Sequence, residues 1–451
     1  MYVCALRPRG ESLSKADVFG YITRLRRDGG ATLHSIVEGP FAAVALDRPG
    51  QHRRLLGRFG NLIGAGDVRL DNRAEIAALA GVHANDHDDL ELVLGALDRR
   101  GEGCIPRLLG DFAFVCWDAR AQKLLAVRDA FGVKPLFRRA APGLQLFSSD
   151  IEPLRLDESY DLEFIADHLS GRNAALDATI WRGITPIGAA TVVRQRGTVQ
   201  STERYWRAEE FIPADAGDEE ENCRRFRALL EESVRTRAGD SVDTWAHLSG
   251  GLDSSSVVAL SNAPGMPESR RVSNTITIVD GLGEGDERSY SDAVVRRYGL
   301  RNEQVRDYWA WQDDGESPPV TDQPSPLYPF YARDRRVWNV VRSSGGRVLL
   351  SGFGADQYLY GNLDYITDLA SSGRVRDALG EVTTWAVATR QSFWTVGRRY
   401  LLDPFLARAH SPLPPRWLAP GLRSDGRVCP RSPGGLRFAS RINETLNALP
   451  A

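Results

Sequence analysis

Thr244-Trp-Ala-His-Leu-Ser-Gly-Gly-Leu-Asp-Ser-Ser-Ser256 is the stretch on which the fold of this chain turns. It starts as an apolar strand, Thr244 to Leu248, passes through Ser249 into a Gly250-Gly251 turn, and enters a helix whose first positions carry Asp253, Ser254 and Ser255. Two adjacent glycines let the backbone come close to a ligand, because no Cβ stands in the way. The free N–H groups of a helix start, with serine hydroxyls beside them, form a cradle for phosphate oxygens. Pyrophosphate fits that cradle. The stretch lacks the Gly-Lys-Ser/Thr ending of a Walker loop, so lysine-assisted transfer of a γ-phosphate is not implied. Asp253 is a hard oxygen ligand placed where a magnesium ion bridging phosphates would sit.

A second apolar strand ends in the same way, in Arg347-Val-Leu-Leu-Ser-Gly-Phe-Gly-Ala-Asp356. Helix-like stretches (Asn222 to Ala238, Ser291 to Tyr298, Arg333 to Ser343) alternate with short apolar strands (Thr244 to Leu248, Val272 to Val279, Arg347 to Leu350). That alternation predicts a parallel sheet with helices on its faces. Strand carboxyl ends in such a sheet share one edge, so Asp253 and Asp356 are expected to meet over one ligand, a nucleotide with its magnesium ion.

The earlier half of the chain has another character. Asp111-Phe-Ala-Phe-Val-Cys-Trp-Asp118 and Lys123-Leu-Leu-Ala-Val-Arg-Asp129 read as two strands joined by a short turn. The first is apolar on both alternating faces, which predicts a sheet covered on both sides, in a layered sandwich with helices outside. Gly132 to Phe137 and Leu144 to Ser149 are expected to continue the meander, and Asp88 to Arg99 to form a helix. Composition shifts at a linker-like run from Phe211 to Glu221, which divides the chain into domains 1–210 and 211–451.

Composition narrows the function class. The 451 residues are 42% hydrophobic and 26% charged, with a net charge of −2, which excludes fibrous and disordered readings. Without a run of Lys and Arg, the electrostatic footprint of a nucleic-acid or anionic-membrane binder is absent, and a small molecule or peptide is the expected partner. Lysine stands only at 15, 123 and 134, so nearly all of the basic residues are arginine. The five cysteines, at 4, 104, 116, 223 and 429, include no C-x-x-C pair, as expected of thiols in a reducing compartment. Arg7 and Arg9 interrupt any signal-peptide core, and no run approaches the ~20 apolar residues of a membrane span. A cytoplasmic location is the expectation.

Ser249-Gly-Gly-Leu-Asp-Ser-Ser255 resembles the pyrophosphate loop of the asparagine synthetase superfamily, enzymes that adenylate a carboxylate and then form an amide. Ser351-Gly-Phe-Gly-Ala-Asp356 is similar to that family's second nucleotide loop. Leu109-Gly-Asp-Phe-Ala-Phe-Val-Cys-Trp-Asp118 and Arg128-Asp-Ala-Phe-Gly-Val-Lys-Pro-Leu136 resemble its glutaminase domain. The resemblance implies two domains of α/β and α+β class. The first is an N-terminal-nucleophile (Ntn) hydrolase-like αββα sandwich, the second an adenine-nucleotide α-hydrolase-like parallel sheet with helices on both faces. It implies ATP and Mg2+ as cofactors. Leu248, Ser249, Gly250, Gly251, Asp253, Ser254, Ser255, Ser351 and Gly352 then bind nucleotide and pyrophosphate, and Asp253 and Asp356 bind metal.

The departures from the pattern are specific. A working glutaminase of this family places a nucleophilic cysteine directly after the initiator methionine, where this chain has Tyr2. Cys4 is no substitute without trimming, and the glutamine-binding Asn-Gly-Glu segment is replaced by Val68-Arg-Leu-Asp-Asn-Arg-Ala-Glu75. Glutamine is therefore not the expected nitrogen source, and an amine on the substrate itself is. Two subfamilies close rings in this way, β-lactam synthetases and lasso peptide cyclases. The third residue of the second loop is Glu in asparagine-forming members and Tyr in β-lactam-forming ones, and here it is Phe353, which carries no proton. That favours the peptide cyclase, with a precursor peptide as substrate and, through the lasso resemblance, a leader peptidase and a leader-binding protein as partners. Leu413-Pro-Pro-Arg-Trp-Leu418 also looks like a segment of cyclase-like members, or a proline turn.

Two other readings stay open: an amide ligase using ammonia or a small amine, and a non-catalytic nucleotide-binding subunit. The family's late lysine is missing, and Arg398, Arg399 or Arg408 are candidates for charge near the leaving pyrophosphate. No catalytic residue is assigned, and the role of His247 is left open. His83 and His87 beside Asp86, Asp88 and Asp89 read as a turn before a helix. Glu284 to Glu287 read as a contact to substrate or the ribose, or as a Gly-rich turn entering a helix; Asp322 to Pro326 line the acyl site by resemblance, or form a turn.

Overall fold

A computed structural model of the chain describes residues 1–22, 31–47, 53–169, 177–211, 218–238, 244–279, 287–306, 322–325, 328–359 and 363–406. Residues through Phe211 form one compact unit, and the described residues after it form another.

In the first unit the elements are β1 (Tyr2–Leu6), α1 (Lys15–Ile22), β2 (Thr32–Glu38), β3 (Phe41–Asp47), β4 (Leu56–Phe59), β5 (Leu62–Leu70), α2 (Arg73–Ala80), α3 (Asp89–Arg100), β6 (Gly110–Asp118), β7 (Lys123–Arg128), β8 (Phe137–Ala141), β9 (Leu144–Ser148), α4 (Leu162–Leu169), β10 (Ile184–Pro186), β11 (Thr191–Arg196) and β12 (Val199–Arg204). They build two six-stranded sheets, ordered β10-β8-β9-β1-β3-β2 and β12-β11-β7-β6-β5-β4. The alternation of β6 explains the layering. Phe112, Phe114 and Cys116 pack with Ile76 of α2 and Leu90, Val93 and Leu94 of α3. Ala113, Val115 and Trp117 face the other sheet and meet Tyr2, Cys4 and Phe41. Beyond that sheet, Val3, Ala5 and Val44 pack with Leu13, Leu154, Trp181 and Tyr21 of α1. The result is the αββα sandwich expected from the sequence. Asp88 starts α3 through a reciprocal capping box with Glu91.

The expected meander breaks after β7. That strand lies in the second sheet, whereas β8 and β9 lie in the first. The cause is Asp129, only 1% exposed, whose carboxylate accepts from the backbone N–H groups of Phe131 (3.1 Å), Val133 (2.9 Å) and Lys134 (3.0 Å). A buried carboxylate must be satisfied, and here it winds residues 131–134 into a loop, so the next strand begins only at Phe137.

The second unit holds α5 (Glu219–Ala238), β13 (Thr244–His247), α6 (Leu252–Ser261), β14 (Val272–Val279), α7 (Arg288–Tyr298), β15 (Arg301–Arg306), α8 (Tyr331–Ser343), β16 (Val348–Leu350), α9 (Ala355–Leu359), α10 (Tyr365–Ser371), α11 (Val375–Ala388), α12 (Phe393–Gly397) and α13 (Asp403–Leu406). Its four strands are parallel in the order β15-β14-β13-β16. On one face Ala246 and Leu248 pack with Val234 of α5, Val258 of α6 and Val295 of α7. On the other, Trp245 and Ile276 pack with Val337 and Val341 of α8. Helices cover both faces, as expected. Ile366, Ala378, Val382 and Val396 join α10, α11 and α12 into a helical cluster of their own. The strand β15 escapes a hydrophobicity reading, because Arg-Asn-Glu-Gln-Val-Arg at a sheet edge buries only Val305.

A candidate nucleotide site at the carboxyl edge of the parallel sheet

The loop after β13 holds itself in shape with its own serines. The Gly251 N–H donates to Ser249 Oγ (3.2 Å), the Ser249 N–H donates to Ser254 Oγ (3.2 Å), and the two hydroxyl oxygens lie 3.0 Å apart. Ser254 is buried while Ser249 is exposed, so the first acts as the peg and the second faces outward. Gly251 is the N-cap of α6 and no side chain caps that end. The first-turn N–H groups thus keep their polarity for an anion, and Asp253 and Ser255, both half-buried, stand among them.

Gly250 takes φ +99°, and a Cβ there would stand 2.6 Å from the Glu287 carbonyl oxygen. The loop is therefore pressed against the start of α7, and Glu287 Oε2 lies 3.8 Å from where a Cβ on Gly251 would be. Leu248 is placed in the core: it is 1% exposed, its N–H donates to Ile276 O (3.0 Å), and its carbonyl accepts from the Thr277 hydroxyl (2.7 Å). Its contribution is to hold the strand end in place.

The second loop meets the first backbone to backbone. A Cβ on Gly352 would stand 2.8 Å from the Ser254 nitrogen and 2.9 Å from the Asp253 carbonyl carbon. This contact follows from the direct pairing of β13 with β16. It brings Ser351, Gly352, Asp253 and Ser254 together. Asp356 lies exposed in the first turn of α9, the helix that the second loop enters. The Phe353 N–H donates to Ser351 Oγ (3.0 Å), and the Phe353 ring is 82% exposed.

Among the described residues no three His, Cys, Asp or Glu side chains come together as a metal cage. Carboxylates of this kind suit magnesium, which takes one or two of them and completes its shell with phosphates and water. Asp253 stands where the two loops meet, and Asp356 stands in the helix that the second loop enters.

Two further residues stand at this edge, Glu287, read from sequence as a contact to substrate or ribose or as part of a turn, and His247, whose role the sequence leaves open. Residues 284–286 lie outside the described residues. His247 is half-buried, and burial pushes its imidazole below the usual value, with Arg333 lowering it further and Asp334 opposing. Neither position has a signal in local sequence, since both depend on contacts between distant segments. Arg398 pairs with Asp403 (3.4 Å) and Arg399 lies over the Tyr400 ring, so both belong to the terminal helices. Arg408, residues 413–418, Pro326 and Cys429 lie outside the described residues.

In the first unit Tyr2 is fully buried between the sheets and its hydroxyl donates to Ala113 O (2.8 Å). Cys4, also fully buried, has its thiol pushed well up by desolvation. The segment from Val68 to Glu75 is committed to internal contacts. Arg69 binds Asp71 (2.6 Å) and Asp111 (3.0 Å), Asn72 donates to Arg107 O (2.9 Å), Arg73 pairs with Asp89, and Glu75 pairs with Arg107 (2.6 Å). His87 pairs with Glu91 (3.2 Å) beside the start of α3.

Residues 71–206 match the model of the glutamine amidotransferase domain, and residues 225–424 match that of asparagine synthase. The chain is therefore similar, in that order, to a glutamine amidotransferase domain and to an asparagine synthase domain. Amidase chyE of Penicillium rubens is 31% identical over 176 residues, covering 38% of this chain and 26% of that protein. Glutamine-hydrolyzing asparagine synthetase 3 of Bacillus subtilis is 29% identical over 206 residues, 45% of this chain and 32% of its own length. A putative asparagine synthetase of Mycobacterium tuberculosis is 26% identical over 394 residues, 79% of this chain and 57% of its own length. The chain thus spans between about a quarter and three fifths of the length of these relatives. No helix among the described residues is long and apolar enough to cross a membrane.

Proposed function

We propose that this chain is an ATP-dependent amide ligase of the lasso peptide cyclase type. It would adenylate an Asp or Glu side chain of a precursor peptide and close an isopeptide bond with the peptide's own N-terminal amine. The observation that carries the ligase reading is the contact of Gly352 with the backbone of Asp253 and Ser254, which joins the two glycine loops at one sheet edge. Ser249, Gly250, Gly251, Ser254 and Ser255 would hold the phosphates, and Ser351 and Gly352 the adenylate. Asp253 and Asp356 would hold magnesium, which neutralises phosphate charge when bound. Holding both ends of one peptide at this edge would supply much of the rate through proximity.

The first unit supports an internal amine. Cys4, Cys104 and Cys116 are buried, with thiols raised by desolvation, so none is a ready thiolate, and the polar side chains of Arg69 to Glu75 are engaged with one another and with Asp89, Arg107 and Asp111. We read this unit as a glutaminase-like domain without glutaminase chemistry. Relatives named asparagine synthetases favour a second reading, a ligase for ammonia or a small amine.

The test offers the purified chain ATP, magnesium and synthetic peptides with a free amino terminus and one internal Asp or Glu, with and without ammonium or glutamine. The expected outcome is a peptide lighter by one water whose yield ignores both nitrogen sources. An uncyclised amide formed only with ammonium would establish the second reading instead.

A further inference from the structure

We propose that His247 accepts the proton released by the attacking amine, a role that rests on the amide ligase reading above. The placement follows from matched periodicities. Trp245 faces α8 and packs with Val337 and Val341. Two residues along a strand advance about 6.6 Å and four along a helix about 6 Å, so His247, two beyond Trp245, reaches the turn holding Arg333, four before Val337. Because α8 leads into the amino end of β16, it runs against the strands, and its first turn lies at the sheet's carboxyl edge. His247 is thus at the same edge as the phosphate loop, two residues before Ser249 and on the sheet face opposite α6.

The chemistry needs such a group. The amine nitrogen bonds to the activated carbonyl carbon with its lone pair, the carbon–oxygen bond to AMP breaks, and its electron pair leaves on the phosphate oxygen. The nitrogen must also lose one proton. Phe353 offers no acceptor, and a neutral imidazole does. Arg333 and Asp334 are the charged groups acting on His247 from α8, and its partner across β14 is the uncharged Ile276. With burial and Arg333 lowering the imidazole, it is uncharged at neutral pH with its lone pair free to accept, and the acceptor is lost only as pH falls through the lowered value.

The experiment has two arms on the full chain. Histidine-labelled protein, without ligand, is titrated by NMR, with His247→Gln to assign the signal; the expected result is a midpoint below ordinary imidazole. Then peptides with a free amino terminus and one internal Asp or Glu are assayed for ATP–pyrophosphate exchange and for ring closure. His247→Gln should keep exchange within about twofold and lose ring closure by on the order of 10²-fold. The acid limb of the wild-type rate should vanish in that variant, and rise to higher pH in Arg333→Gln, which also guards against a fold defect at position 247. Exchange with undiminished closure in His247→Gln, or an imidazole already charged at neutral pH, overturns the role of His247 alone. No exchange with any peptide overturns the ligase reading and this role together.

Discussion

Gly352 and Gly346 separate binding from stability within one short stretch. A Cβ on Gly352 meets the backbone of Asp253 and Ser254, where no flexible side-chain end can yield. Gly352→Ala should therefore push the two loops apart and weaken ATP binding at least about tenfold in protein that still folds. Gly346→Ala instead drives a methyl to 2.7 Å from Trp245, buried in the core, and should cost about 1–3 kcal/mol of stability. ATP titration and denaturant unfolding of both variants check the pair, and equal ATP affinity in Gly352→Ala would contradict the loop contact. The glycines, serines and aspartates of both loops were readable because the chemistry is written locally, in residues that leave backbone N–H groups free. Glu287 over Gly251 and Arg333 beside His247 were not, because each contact joins segments that only the sheet order brings together.

Strand β1 decides what the first unit can do. It runs between β3 and β9, with Cys4 opposite Ala43 on one side and Phe147 on the other. Desolvation raises that thiol, and raises Cys104 to about 11 and Cys116 to about 12. Each is therefore uncharged at neutral pH, and thiolate appears only far into alkali. At about pH 8, iodoacetamide should modify exposed Cys223 in the folded protein and leave Cys4, Cys104 and Cys116 intact, as peptide mass mapping would show. Rapid loss of the Cys4 thiol would restore a nucleophile to this unit. The sandwich itself was readable from the two apolar faces of β6. The break after β7 was not, because it rests on one buried carboxylate gathering backbone N–H groups. The polar edge strand β15 was missed for the opposite reason, since an edge needs little apolar surface.

For the molecule as a whole, the likeness to asparagine synthase and the parallel sheet both direct the proposed chemistry to the sheet's carboxyl edge, while the first unit lacks a ready thiolate among its described residues. The account stands on nucleotide activation of a carboxylate at that edge, coupled to a peptide. The most direct measurement is AMP and pyrophosphate release from ATP, with and without the peptide set, in wild type and in Asp253→Ala. The expected result is release that depends on peptide and falls on the order of 10²-fold or more in the variant. Tight ATP binding with no AMP under any of these conditions would contradict it and mark the chain as a nucleotide-binding protein without turnover.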